Sequence, residues 1–160
     1  MSSSNVRFGT SGVRGRVADM TPDVCYAYAA AFLQAVPTTV GRIALAIDLR
    51  PSSPAIASAC AAAIEIAGFE VDYCGAIPTP ALALYAEAQG VPAIMVTGSH
   101  IPFDRNGIKF YNATGEITKA EEMRIAHATV VLPASGLTPC LTAINSAARE
   151  GYLQRYLAFF

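Results

Sequence analysis

Ile43-Ala44-Leu45-Ala46-Ile47-Asp48-Leu49-Arg50-Pro51-Ser52-Ser53-Pro54 decides how this chain folds. Five apolar residues ending at an aspartate read as a short strand covered on both faces. Pro51 to Pro54 then open an Ala-rich helix that runs through Ile56, Cys60 and Ile64 and stops at Gly68. Upstream, Thr21-Pro22-Asp23 supplies a capping hydroxyl, a first-turn proline and an early acid. Val24, Tyr28, Ala31, Phe32 and Ala35 follow at helical spacing, which predicts a helix from about residue 22 to 36. Downstream, Phe69, Val71 and Tyr73 alternate with Glu70 and Asp72 as in a more exposed strand. Thr79-Pro80 begins a third helix that Gly90 stops, and Ala93 to Val96 is another apolar strand. Ile108 to Tyr111 and Glu116-Ile117 read as a hairpin, with a capping box at Thr118 and Glu121 behind it. Residues 129–144 show no clear pattern, and from Arg149 the residues Tyr152, Leu153, Tyr156, Leu157 and Phe160 form one helix face.

Strands alternating with helices predict an α/β fold: a single three-layer domain with a mixed, largely parallel sheet flanked by helices. In such a sheet the loops that follow the strands share one edge, where ligands bind. Here that edge carries Asp48 to Arg50 and the long segment from Thr97 to Asn106.

The 160 residues suit one domain, and folding would bury about 70% of the extended chain's surface. Hydrophobic residues at 53% against 14% charged exclude a disordered tail. A net charge of -1 offers no global field for a nucleic acid or an anionic membrane, so an anion site must be local. Cys25, Cys60, Cys74 and Cys140 lie far apart without a CxxC pair, and two histidines complete a poor ligand set, which argues against zinc or a redox dithiol. No signal or membrane-type segment is visible, so the expectation is a cytoplasmic protein with reduced thiols.

Thr97-Gly98-Ser99-His100-Ile101-Pro102, followed by Asn106-Gly107-Ile108-Lys109, puts a hydroxyl beside glycine at the end of a buried strand. An imidazole lies next to it and an ammonium ten residues on. By residue types alone the plainer reading is an ordinary polar loop. The chemical reading is that Ser99 meets a phosphoryl group, Gly98 lets its oxygens approach the backbone, and Lys109 offsets charge or moves a proton. A serine hydrolase built on Ser99 and His100 lacks the GxSxG elbow. Gly9, Gly12 and Gly15 match neither a dinucleotide fingerprint nor a Walker loop. His127 has no metal-spaced neighbours, and Arg7 either joins an anion site or flanks the first strand.

Taken together, Thr97-Gly98-Ser99-His100-x-Pro102 with Asn106-Gly107-x-Lys109 resembles the serine loop of the α-D-phosphohexomutases. Phe8-Gly9-Thr10-Ser11-Gly12-Val13-Arg14-Gly15 resembles their N-terminal substrate-site motif, and Asp48-Leu49-Arg50-Pro51-Ser52-Ser53 their third early signature. The three occur in the family's order and cover essentially the whole chain as the first of four domains. The pattern through Ile101 and Asp104-Arg105 sits nearest the phosphomannomutase branch; Ile101 stands where the family often has Asn.

The resemblance implies that Ser99 carries a phosphoryl group whose oxygen is a ligand of Mg2+, with Lys109 and His100 as catalytic partners. It implies that Thr10, Ser11, Arg14 and Arg50 hold substrate or phosphate. The reaction would interconvert hexose 6-phosphate and hexose 1-phosphate, of mannose or glucose, with a hexose 1,6-bisphosphate as intermediate and activator. Phosphoglucomutase, phosphoglucosamine mutase or a non-catalytic sugar-phosphate binding module are the alternatives. Asp19, Asp23, Asp48, Asp72 and Asp104 form no Asp-x-Asp-x-Asp, and the resemblance implies that the metal loop belongs to a second domain. Residues 1–148 are therefore expected to form the serine-bearing domain and 149–160 the start of a connection to further domains, leaving the isolated chain inactive.

Overall fold

A computed structural model describes residues 5–9, 11–36, 41–138, 141 and 143–160. The elements run β1 (Arg7–Gly9), β2 (Gly12–Arg16), α1 (Pro22–Ala35), β3 (Arg42–Ile47), α2 (Ser53–Ile66), β4 (Glu70–Ala76), α3 (Thr79–Gln89), β5 (Ala93–Val96), β6 (Arg105–Asn112), β7 (Gly115–Glu116), α4 (Lys119–His127) and α5 (Ala147–Phe159). Local chemistry accounts for several boundaries. The Thr21 hydroxyl accepts from the Val24 N–H at the start of α1, and both bonds of the Thr118–Glu121 capping box are made at α4. Gly90 ends α3 in the left-handed conformation at φ 66°, where a side chain would be strained.

The sheet order is β1-β2-β6-β5-β3-β4, with β7 on β6. The α/β three-layer class and the mixed sheet are as expected, but "largely parallel" needs correction. Only β5, β3 and β4 pair in parallel, and the pairings of β1, β2, β6 and β7 are antiparallel. Parallel neighbours need a crossover of a dozen residues or more. Helices α2 and α3 supply one for β4 and β5, whereas the chain turns straight back between β1 and β2 and between β5 and β6.

Alternation along the strands assigns the two faces. Ile43, Leu45 and Ile47 join Ile94, Val96, Ile108 and Phe110 in the larger core beneath α1 and α2. Ala44 and Ala46 join Met95, Tyr111 and Leu82 beneath α3, together with Ala148 of α5. Small residues of β3 on the second face let α3 lie close to the sheet. Strand β4 is less exposed than its alternation predicts. Asp72 is only 8% accessible, because the Tyr85 hydroxyl (2.6 Å) and the Asn145 amide (2.9 Å) both donate to its carboxylate. That bonding, with the Asn145 N–H on the Tyr73 carbonyl, holds the segment just before α5 against β4.

Helix α5 packs through Ala148 and Tyr152, while Leu153, Tyr156, Leu157, Phe159 and Phe160 stay exposed. No helix among the described residues is long and apolar enough to cross a membrane. Cys25, Cys60 and Cys74 are free and buried, and Cys140 lies outside the described residues. Burial pushes the thiols of Cys25 and Cys74 up to about 12 and that of Cys60 well above its ordinary value, which leaves all three unreactive near neutrality.

Phe32 of α1 stacks on Phe110 of β6 at 4.7 Å between ring centroids, and both are fully buried. Replacing Phe32 by alanine is expected to cost about 3–5 kcal/mol, read as a lowered midpoint in urea unfolding.

Candidate active site

The parallel run of β3 and β5 ends at Ile47 and Val96, which are register partners, so the loops that follow leave the sheet side by side. Asp48 stands at the head of the first loop and connects them. One carboxylate oxygen accepts from the Gly98 N–H at 3.0 Å. The other accepts from the Arg50 N–H at 3.0 Å and from the Ser53 hydroxyl in the first turn of α2. Burial presses this carboxyl upward, but the Ser53, Gly98, Arg50 and Thr97 hydrogen bonds outweigh it and hold the pKa below the ordinary 3.8.

Arg50 completes the brace. Its guanidinium donates to the backbone carbonyls of Pro102 (2.7 Å), Arg105 (2.8 Å) and Ile101 (2.6 Å). The sequence resemblance implies phosphate contact for Arg50; the structure instead turns its donors into the loop. A Cβ on Gly98 would overlap that guanidinium, so glycine here reflects close approach. Asn106, fully buried, donates to the hydroxyls of Ser52 (2.8 Å) and Ser53 (3.0 Å) and accepts from the Gly107 N–H. Ile101 contributes its carbonyl to Arg50 and its N–H to the Gly98 carbonyl (3.0 Å), so its position is used through the backbone.

Within this clamp Ser99 is exposed, at φ 52° in the left-handed region that serine seldom occupies, and its N–H bonds the Thr97 hydroxyl at 3.0 Å. Backbone strain of this kind collects at functional sites where the surroundings over-determine it. Ser99 lines a cleft of about 130 Å³ with Val13, Arg14, Thr79, Thr97, Gly107, Ile108 and Lys109. Register explains the company. Met95 pairs with Lys109, Gly12 with Lys109 and Arg14 with Gly107. Ile108 and Val13 point into the core under α1 and α2. Arg14 and Lys109 therefore face the α3 side, where Thr79 starts that helix.

Lys109 is bonded to Glu116 of β7 at 2.8 Å. Burial pulls the ammonium pKa down, but the bonds to Glu116 and Tyr111 more than compensate, so it lies above its ordinary 10.5. Glu116 is correspondingly lowered, first by its bond to Lys109. Arg14 forms no ion pair among the described residues.

Ser99, Lys109 and Arg14 are thus brought together, and His100 is exposed beside Ser99. Ser11, expected to hold phosphate, is 3% accessible and donates its hydroxyl to Glu116 at 3.2 Å. Thr10 lies outside the described residues. His127 ends α4 and bonds the Met123 carbonyl, and Arg7 is exposed on β1. The sequence reading missed Thr79 and Glu116. Thr79 was legible only as a helix start, and Glu116 only as part of a hairpin.

Comparison with known proteins identifies the family. The chain belongs to the phosphoglucomutase/phosphomannomutase family, whose alpha/beta/alpha domain I model matches residues 5–130. It is 50% identical over 161 residues to a phosphomannomutase of Salmonella muenchen (98% of this chain, 33% of the relative) and 42% identical over 161 residues to one of Sinorhizobium fredii (94% and 34%). The crystal structure of a phosphoglucomutase/phosphomannomutase family protein from Burkholderia thailandensis superposes with a TM-score of 0.68 at 27% identity, covering 79% of this chain and 30% of that one. The chain spans about a third of the length of the curated relatives it matches.

Two outcomes test the clamp. Arg50→Ala should speed amide exchange across residues 98–106 on the order of tenfold or more, from the loss of charged hydrogen bonds worth about 1.5–3 kcal/mol, while β3 amides keep their protection. The Asp48 contribution is present above pH 3.8 and disappears as pH falls through its lower folded value. Loop protection in the unaltered chain should therefore drop under that acidification, and in Asp48→Asn it should already be low at neutral pH.

Proposed function

We propose that this chain is the serine-bearing domain of a phosphomannomutase-type enzyme that interconverts hexose 6-phosphate and hexose 1-phosphate. The observation that carries the reading is the strained, exposed Ser99 sharing a cleft with Arg14 and Lys109. Such a transfer asks for preorganised positive charge around a loosely bonded phosphoryl group. The N-terminus of α3 at Thr79 adds partial positive charge of the same sense.

In the proposed cycle a phosphorylated Ser99 gives its phosphoryl group to a free hydroxyl of a hexose monophosphate. The P–Oγ bond breaks as the new P–O bond forms, leaving a hexose bisphosphate. Lys109, held as an ammonium, donates a proton to the departing Oγ, and His100 is the chain's candidate to receive the proton of the attacking hydroxyl. After the bisphosphate turns over, its other phosphoryl group returns to Ser99 and the protons retrace their path. Arg14 supplies charge that has no ion-pair partner among the described residues, Thr10 and Ser11 belong to the segment that would shape the substrate side, and Arg50 keeps Ser99 in place.

Magnesium fits this chain poorly by itself. Among the described residues no group of three His, Cys, Asp or Glu side chains could hold a metal. A Ser99 phosphate would offer one oxygen ligand, the remainder would come from another domain, and no step above depends on it. Residues 1–148 as the domain proper, 149–160 as the start of a connection to the rest of the enzyme, a cytoplasmic location and a mannose preference belong to the same proposal. The 50% and 42% identities to phosphomannomutases support the preference.

In the full-length protein, incubation with a hexose 1,6-bisphosphate should add one phosphoryl group by intact mass, and Ser99→Ala should abolish it. No gain in mass, or an undiminished gain in the variant, would overturn the assignment. The chain alone should show negligible turnover of mannose 1-phosphate.

A further inference from the structure

The Lys109 ammonium sits between two demands. A phosphoryl group at Ser99 needs it as a cation and proton donor, yet a lysine at a cleft edge has four rotatable bonds with which to wander. The hairpin that follows supplies a restraint. Glu116 is the register partner of Tyr111, two residues beyond Lys109, so its carboxylate reaches Lys109 as a diagonal neighbour on the same sheet face.

We propose that Glu116 is a positioning residue for Lys109, gripping the ammonium with one carboxylate oxygen while the other is anchored by the Ser11 hydroxyl. This rests on the function proposed above and assigns a role to a residue outside the serine loop. The two contacts are 2.8 Å and 3.2 Å.

The anchor itself is rigid. Ser11 is buried at φ 60°, its N–H donates to Glu122 of α4 at 3.0 Å, and its carbonyl accepts from the Phe110 N–H at 2.9 Å. The carboxylate therefore ties the ammonium to the segment that also carries Arg14. One half of the cleft's charge is neutralised at rest and the other, Arg14, is free among the described residues to receive an anion. A doubly charged phosphoryl group near Ser99 competes with Glu116 for Lys109, so the ammonium can turn from carboxylate to phosphate without losing its proton. A pair as exposed as Glu116 (53%) contributes little to stability, which leaves its substitution readable.

The groups facing Lys109 are Arg14 from β2, Ser11 from the turn before it, Tyr111 from its own strand with the ring centroid 5.5 Å away, Glu116 from β7 and Thr79 from α3. Met95, its partner on β5, brings no charge, and Glu122 of α4 acts through Ser11.

Lys109 and Lys119 are the two lysines of the chain, so a nitrogen-15 spectrum of the lysine ammonium groups holds two signals, with exposed Lys119 as an internal reference. In Glu116→Gln the Lys109 titration midpoint should fall and its slow-exchanging ammonium signal should be lost, with Lys119 unmoved. Glu116→Asp, which keeps the charge, should retain part of both. An unmoved Lys109 midpoint in Glu116→Gln overturns the proposal. In phosphoryl transfer from a hexose 1,6-bisphosphate by the full-length protein, Glu116→Gln should slow the maximal rate on the order of tenfold with the half-saturating concentration not raised, and displace the alkaline limb of the pH profile. An unchanged rate and profile also overturns it. If the unaltered full-length protein accepts no phosphoryl group, the function proposed above fails, while the titration still decides whether Glu116 holds the ammonium.

Discussion

Everything at the loop-bearing edge of this sheet depends on one carboxylate. Asp48 leaves β3 where the strand's own ladder ends and takes up three kinds of orphan donor: the N–H of Gly98, the N–H of Arg50 and the hydroxyl that opens α2. An ionised acceptor satisfies such groups more strongly than a neutral one. Two loops from separate strands and the start of a helix thereby become one rigid unit. Arg50 extends it by binding the carbonyls of Ile101, Pro102 and Arg105 in the serine loop, a task suited to a planar fork of donors and poorly served by a lysine.

That rigidity gives the strain at Ser99 a physical basis. A serine at positive φ would relax in a free loop, but here the residues on both sides are fixed to Asp48 and Arg50, so the hydroxyl is held at the cleft. The cations reach the same point by another route. Pleating alone sends Arg14 and Lys109 to the α3 face while Val13 and Ile108 enter the opposite core. The same sheet thus packs its main core on one side and gathers charge on the other. Division of labour among the three cations follows: Arg50 shapes the loop, Lys109 is held by Glu116, and Arg14 remains uncompensated among the described residues.

Local rules read well wherever a group acts on its near neighbours. Thr21, the Thr118–Glu121 box and Gly90 marked helix ends because caps are made within one turn. The apolar runs at Ile43 and Ala93 marked buried strands for a similar reason: a strand covered on both faces can hold no charge. The reading failed where burial came from far away. Glu70 and Asp72 suggested an exposed strand, yet Tyr85 of the next helix and Asn145, 73 residues away, close over Asp72. The sheet was expected to be largely parallel, because alternation of strand and helix does not reveal which strands return as hairpins.

By itself the sequence determined most of the element types, the family resemblance and the candidate serine loop, since each depends on residue types at short, fixed spacing. Tertiary structure decided what the side chains are for. It gave Arg50 to the loop carbonyls, Ser11 to Glu116 and Thr79 to the cleft. Those assignments rest on strand register and on the competition of distant donors for one acceptor, and neither is written in any local run of residues.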